Sequence, residues 1–150
     1  MPENISYERE GILKFASPNF SPGVAVFVLE SREILPDVRK LFPAAKIAFM
    51  SVEGDSGTRE LCKKLKIDFM RGNYFAGDLP TQAKCFDIIF ARDCLTLAPD
   101  FYSVLLEINH LLKDSGYMIT QFFNVRFLGV LENLSSLRDF LVCIFCGIKI

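Results

Sequence analysis

"GVAVFVLESREILPDVRKLF", Gly23 to Phe42, holds the reading on which the fold of this chain turns. Its first part, Gly23 to Leu29, is apolar without alternation and then meets an acid at Glu30. A strand with one wet face alternates polar and apolar residues. An unbroken apolar run is what a strand buried on both faces of a parallel sheet requires. Pro36 to Phe42, PDVRKLF, then reads as a short helix, with Pro36 suited to its first turn and Pro43 ending it.

The same two textures repeat downstream. Ala45 to Glu53, AKIAFMSVE, is a second buried strand. Ser56 or Thr58 can cap the helix that follows, whose Leu61, Cys62 and Leu65 form an apolar stripe. IDFMRGNYF supplies a third strand, closed by the turn Ala76-Gly77-Asp78-Leu79-Pro80, and CFDIIFARD a fourth. A helix runs from Asp100 as N-cap through Leu112, with Val104, Leu105, Ile108, Leu111 and Leu112 at helical spacing. Asp114-Ser115-Gly116 places a glycine where a helix C-terminus favours one, and YMITQFF is a fifth strand. This order predicts an α/β fold with a doubly wound, mostly parallel sheet, Rossmann-like in type. One domain is expected, with residues 1–22 as lead-in, 23–120 as core and 121–150 as a variable apolar tail. The last stretch, Leu137 to Ile150, is read as a sixth strand, added to the sheet edge or packed across it, or as a homodimer surface.

Composition narrows the function classes. At 150 residues the chain has the size of one domain, and 51% hydrophobic against 23% charged residues is the balance of an ordinary core. A net charge of -1, with Lys and Arg dispersed, argues against a nucleic-acid partner. The apolar runs fall short of the ~20 residues of a membrane helix, and the polar, acidic start MPENISYERE does not read as a secretory signal. Five cysteines, mostly inside apolar runs, read as reduced buried thiols, and a cytoplasmic location is expected. Cys143-Ile144-Phe145-Cys146 is a lone CxxC without a second ligand pair, so no metal is expected there.

In an open parallel sheet, ligands bind beyond the carboxyl ends of the strands, near the point where strand order reverses. The residues placed there are Glu30, Ser31 and Arg32 after the first strand, Glu53 and Gly54 after the second, Gly72 and Asn73 after the third, and Ala91, Arg92 and Asp93 after the fourth. Glu53 is the most informative of them. A carboxylate at that tip can accept two hydrogen bonds from a ribose diol. It serves equally well as a solvated loop acid, and both readings stand. Asn73 can present an amide to an adenine edge or act simply as a turn residue. Arg92 and Asp93 can meet a substrate or pair with each other in solvent. The one histidine, His110, follows Glu107 by three positions inside the helix FYSVLLEINHLL and reads as a surface helix residue before it reads as a general base.

At this point the order of pieces resembles the class I S-adenosylmethionine-dependent methyltransferases. FDIIF (Phe86 to Phe90) is similar to the family's fourth strand, and Leu97-Ala98-Pro99-Asp100 to the segment before its helix. Leu111-Leu112-Lys113-Asp114-Ser115-Gly116-Tyr117 is similar to its leucine-rich helix end and glycine turn, and Asp78-Leu79-Pro80 to the stretch before the fourth strand. Phe123-Asn124-Val125-Arg126 resembles methyltransferases found alongside sugar-modifying enzymes. The resemblance covers about Gly23 to Thr120. It implies S-adenosylmethionine as cofactor, its ribose held by Glu53 and its adenine near Gly72-Asn73. It also implies that Glu30 orders the loop after the first strand or the donor's amino group, with Ser31 and Arg32 beside it. Arg92 and Asp93 then stand on the acceptor side. The family's seven-stranded sheet does not fit entirely into this chain, so a shortened C-terminus is expected.

One element departs from the family. Its first turn has the form acid-x-Gly-x-Gly-x-Gly, and from Glu30 those glycine positions are Arg32, Ile34 and Pro36. Glu30 and Glu53 nevertheless keep a spacing that suits an intact loop-helix-strand unit. Ile34 is expected to intrude where a ligand needs room, and Pro36 removes an N–H donor. Arg32 is expected to reach the donor's carboxylate or to pair with Glu53 or Glu30. Three functions follow: methyl transfer to a small molecule or sugar through an impaired donor site, a binding or interaction module that has lost the donor, and a nicotinamide oxidoreductase. The third is weak, because the missing glycines also exclude the dinucleotide fingerprint.

Overall fold

The structure, a computed structural model, describes residues 23–92, 99–123 and 140–146. Five parallel strands and one antiparallel strand form a single sheet: β1 (Ala25–Leu29), β2 (Lys46–Ser51), β3 (Asp68–Arg71), β4 (Phe86–Arg92), β5 (Leu112–Phe123) and β6 (Phe140–Cys146). Their order across the sheet is β3-β2-β1-β4-β5-β6. The helices are α1 (Leu35–Leu41), α2 (Ser56–Leu65) and α3 (Phe101–Leu111). The predicted doubly wound, mostly parallel α/β sheet is therefore what the chain forms.

The unalternating run of β1 is explained by burial on both sides. Val26 and Val28 join Ile34, Leu35 and Val38 in one core cluster, against α1 and Cys62 of α2. Phe27 and Leu29 join Val104, Ile108 and Leu111 of α3 in the other. Phe27, Val28 and Leu29 are all 0% exposed, so each contributes on the order of 1.5–3 kcal/mol of apolar burial. Arg39 ties the first layer together. Its guanidinium donates to the carbonyls of Leu65 at 2.8 Å and Lys66 at 2.7 Å, the otherwise unpaired end of α2, and to that of Ala45 at 2.9 Å.

Strand order reverses between β1 and β4, the two strands that pair at the centre. Register sets the tips level: Leu29 lies opposite both Met50 of β2 and Ala91 of β4. Glu30, Ser51 and Arg92 thus share one rim, which is where the crevice of such a sheet opens.

Two local expectations are corrected. The helix α2 is capped by Asp55, not by Ser56 or Thr58: the Asp55 carboxylate accepts from the Thr58 N–H at 2.6 Å. Thr58 is the receiver of that cap, three residues inside. Gly116 does not end α3 either. The helix stops at Leu111, Leu112 is already extended, and residues 113–116 form an irregularity in β5, whose pairing steps from Phe86↔Leu112 to Ile88↔Tyr117. Glycine stands there because a Cβ would lie 3.0 Å from the carbonyl oxygens of both Lys113 and Phe86. Close backbone approach selects it, not a left-handed cap. Asp87 anchors the same end of the sheet, accepting from the Ala25 N–H and the Lys113 ammonium, each at 2.8 Å.

The C-terminal apolar stretch takes the edge option. Phe140–Cys146 pairs antiparallel with β5, from Phe123↔Phe140 to Tyr117↔Cys146, so Cys143 and Cys146 are both strand residues. The lead-in 1–22, the segment Phe123-Asn124-Val125-Arg126 beyond Phe123, and Asp93 lie outside the described residues, as does the side chain of Arg92. Among the described residues no helix is long and apolar enough to cross a membrane.

Candidate functional site

The turn after β1 is compact. Glu30 adopts a positive φ of 59°, and the Ser31 N–H donates across it to the Leu29 carbonyl at 2.8 Å. Ser31, at φ -88° and ψ 70°, forms the next three-residue turn, with the Arg32 N–H donating to the Glu30 carbonyl at 3.0 Å. These are successive γ-turns of opposite hand. The Ile34 N–H then closes on the Ser31 carbonyl at 3.2 Å, starting a short 3-10 segment, Arg32–Ile34, that runs directly into α1. Left-handed backbone costs a non-glycine residue about 1–2 kcal/mol. What holds Glu30 in it is the second strand: its N–H donates to the Met50 carbonyl at 2.9 Å, and its carboxylate accepts from the Val52 N–H at 2.6 Å and the Ser51 hydroxyl at 2.9 Å.

The rewritten turn behaves differently from its sequence expectation. Ile34 is 0% exposed and packs into the core beneath α1 with Val26, Leu35 and Val38, so it does not enter the crevice. Pro36 is exposed and, with Arg32, Glu33 and Leu61, borders a groove of about 400 Å³. Arg32 pairs with neither Glu30 nor Glu53. Its guanidinium donates to Asp55 and to the Thr58 hydroxyl, both at 3.2 Å, strapping the turn to the start of α2. The reason is reach: the 3-10 segment carries Arg32 away from the rim and toward the α2 N-terminus. The effect on a ligand is felt through the backbone. The N–H groups of Ser31, Arg32 and Ile34 all end on carbonyls of the turn or of β1, where a glycine turn would direct such groups at an anion.

The tip of β2 has the opposite character. Ser51 is buried, at 5% exposure, and its hydroxyl is a junction. It lies 2.9 Å from the Glu30 carboxylate and 2.9 Å from the Glu53 carbonyl, and accepts from the Glu53 N–H at 3.2 Å. A hydroxyl has one proton, so it serves one of the two oxygens at a time. Glu53 itself is exposed, and its carboxylate makes no hydrogen bond or ion pair among the described residues. Neither Ser51 nor Asp55 stood among the sequence candidates. A serine ending an apolar strand carries no motif, and only the long-range pairing of β1 with β2 shows what it meets.

Past β3, Asn73 is exposed and caps a short 3-10 turn, Tyr74–Ala76: its side-chain oxygen accepts from the Phe75 N–H at 3.0 Å, while its own N–H donates to Asp78 at 2.8 Å. Gly72 permits this fold-back, because a Cβ would meet Asp78 at 3.0 Å and Met50 at 3.2 Å. His110 lies far from the rim. Its carbonyl accepts from the Lys84 N–H at 2.9 Å, just before β4 begins, which puts it at the amino ends of the strands. Burial raises the thiol of Cys62, offset in part by Arg32, and burial likewise raises that of Cys85, so both stay protonated.

Residues 26–120 match the model of the methyltransferase domain family. No curated protein matches the chain in sequence. Solved structures match its fold. An S-adenosylmethionine-dependent methyltransferase of Aquifex aeolicus has a TM-score of 0.65 at 17% identity, over 82% of this chain and 68% of that one. A protein of Pyrococcus horikoshii gives 0.65 at 19% identity over 88% and 63%, and the YcgJ protein of Bacillus subtilis 0.64 at 15% over 82% and 54%. The chain thus spans between 54% and 68% of the length of these three.

Proposed function

The chain belongs to the methyltransferase domain family, within the class I S-adenosylmethionine-dependent methyltransferases, and from that premise we propose that it binds S-adenosylmethionine mainly by its adenosine half and serves methyl transfer to a small molecule or sugar through an impaired donor site. The observation that carries this reading is Glu53: an exposed carboxylate unpaired among the described residues, beside the Ser51 hydroxyl and the Val52 N–H, which are both engaged by Glu30.

The residues fit one half of the donor. Glu53 would accept hydrogen bonds from the ribose diol, and Asn73, beside Gly72, would lie near the adenine. Glu30 would act by ordering the β2 tip, since both of its carboxylate oxygens are occupied there. The methionine half finds less. Ser31 is buried with its N–H spent, and Arg32 would have to leave Asp55 to meet a carboxylate. When bound, the donor supplies an activated methyl group on a sulfonium sulfur. The chain's part is to hold that group at the rim beyond β4 where an acceptor would meet it, and positioning alone supports large rate effects without a histidine base.

A second reading, a binding or interaction module that transfers no methyl group, is favoured by the internally satisfied turn. Calorimetric titration with S-adenosylmethionine and S-adenosylhomocysteine separates the two. Saturable binding that disappears in Glu53→Ala is the expected result. The absence of both heat and thermal shift at millimolar ligand would leave the module reading.

A further inference from the structure

We infer that Ser51 is a positioning residue of this site: its buried hydroxyl, together with the Glu30 carboxylate, fixes Glu53 and so makes the rim selective for ribose over deoxyribose nucleosides. The inference rests on the reading of Glu53 given above.

Each residue between the sheet and Glu53 is held. Ser51 is the last residue of β2 and still pairs with Arg71 of β3. The Val52 N–H is bound by Glu30 at 2.6 Å. The Glu53 N–H donates to the Ser51 hydroxyl at 3.2 Å, and the hydroxyl's one proton is shared between the Glu53 carbonyl and the Glu30 carboxylate, each at 2.9 Å. A loop acid that merely meets solvent needs none of this. Alanine would fill the strand tip equally well, and among the described residues the hydroxyl's partners are the Glu30 carboxylate and the Glu53 backbone. The outcome is an exposed carboxylate on a backbone fixed from two strands, with its own oxygens unpaired among the described residues.

A fixed backbone limits where the side chain can reach, and that is what turns such an acid into a selector. A carboxylate carried on a fixed backbone meets two adjacent hydroxyls with two bonds and loses one when the 2′-hydroxyl is missing. One carried on a mobile loop swings to water and loses little. Discrimination between the two sugars therefore reports on how Glu53 is held, not only on whether it is present.

The test is calorimetric titration of the full chain with adenosine and with 2′-deoxyadenosine, with S-adenosylhomocysteine as a further probe and thermal melts in parallel. Wild-type protein is expected to prefer adenosine by about tenfold, the worth of one charge-assisted hydrogen bond. Ser51→Ala should lower adenosine affinity by roughly three- to tenfold and bring the preference close to unity, on the scale of one or two lost bonds. Ser51→Thr, which keeps the hydroxyl, should restore the preference. In Glu53→Ala, adding Ser51→Ala should change nothing further, because Ser51 acts only through Glu53. Should Ser51→Ala not fold, Glu30→Gln gives a second route, since the amide keeps the shape of the clamp but only one acceptor oxygen. An unchanged preference in Ser51→Ala or, failing that, in Glu30→Gln would overturn the inference while leaving Glu53 as ribose acid. Wild-type protein that takes up none of the three probes removes the ribose reading itself, and the inference with it.

Discussion

Two neighbouring strand tips, Glu30–Ile34 after β1 and Ser51–Asp55 at the end of β2, treat their polar groups in opposite ways. The first turn closes on itself: three N–H groups end on local carbonyls, Ile34 dives into the core, and Arg32 is tied to Asp55. The second is held just as firmly, by Ser51 and Glu30, yet leaves the Glu53 carboxylate unpaired among the described residues. The contrast shows that a turn can lose its glycines without occupying the ligand's space. What is lost is the supply of donors, which on the reading proposed above would bear on the methionine half of S-adenosylmethionine and spare the ribose half.

The largest effect expected of this contrast is at Ile34. Ile34→Ala should destabilise the fold by about 2–4 kcal/mol in urea unfolding, as for a large-to-small change in a packed core. A loss near zero, with improved ligand binding, would mean that the side chain stands in the crevice after all. Glu53→Ala comes next, and acts on binding alone. Affinity for S-adenosylhomocysteine should fall by about tenfold to a hundredfold, the equivalent of roughly 1.5–3 kcal/mol for bonds to a charged group, with the midpoint of unfolding unmoved.

Glu30 tests the clamp between the tips. Both Glu30→Ala and Glu30→Gly lose the hydrogen bonds to Ser51 and Val52, but only glycine relieves the left-handed backbone. The glycine variant should therefore be more stable than the alanine variant by about 1 kcal/mol, reversing the usual order of these two residues. Equal stabilities would deny that the turn is strained.

The smallest effect is a pH dependence at the strap. Hydrogen bonds from the Thr58 side chain and N–H hold the Asp55 carboxyl below its ordinary range, with the Arg32 charge adding to them. Asp100, the cap of α3, is lowered in the same way by Ser103. A pKa lower in the folded chain means that the unfolded chain binds protons first. The stabilisation is thus complete above the ordinary carboxylate pKa, ~4, and is lost as pH falls through the folded value. Thermal midpoints measured from neutral pH downward should fall in that acid window. Asp55→Asn, which keeps a capping side chain but cannot titrate, should flatten part of the slope.

Much of this molecule is legible in the sequence alone. The unalternating runs of β1 and β4 announce strands buried on both faces, and Asp100 announces the start of α3, because periodicity and capping are local properties of consecutive residues. The position of Glu53 at a strand tip was equally readable, as was the departure at Arg32, Ile34 and Pro36. What those three side chains do was not. Whether Ile34 faces ligand or core depends on a turn in which Glu30 accepts a left-handed φ, and that φ is held by groups 20 or so residues away on β2. Arg32 found Asp55 instead of Glu53, Gly116 proved to serve backbone approach instead of a helix end, and Ser51 became the junction of two tips, each through contacts between segments remote in sequence. Local pattern determined which elements exist and in what order. Only their packing into one sheet decided which polar groups are spent within the protein and which, as at Glu53, stay unpaired among the described residues.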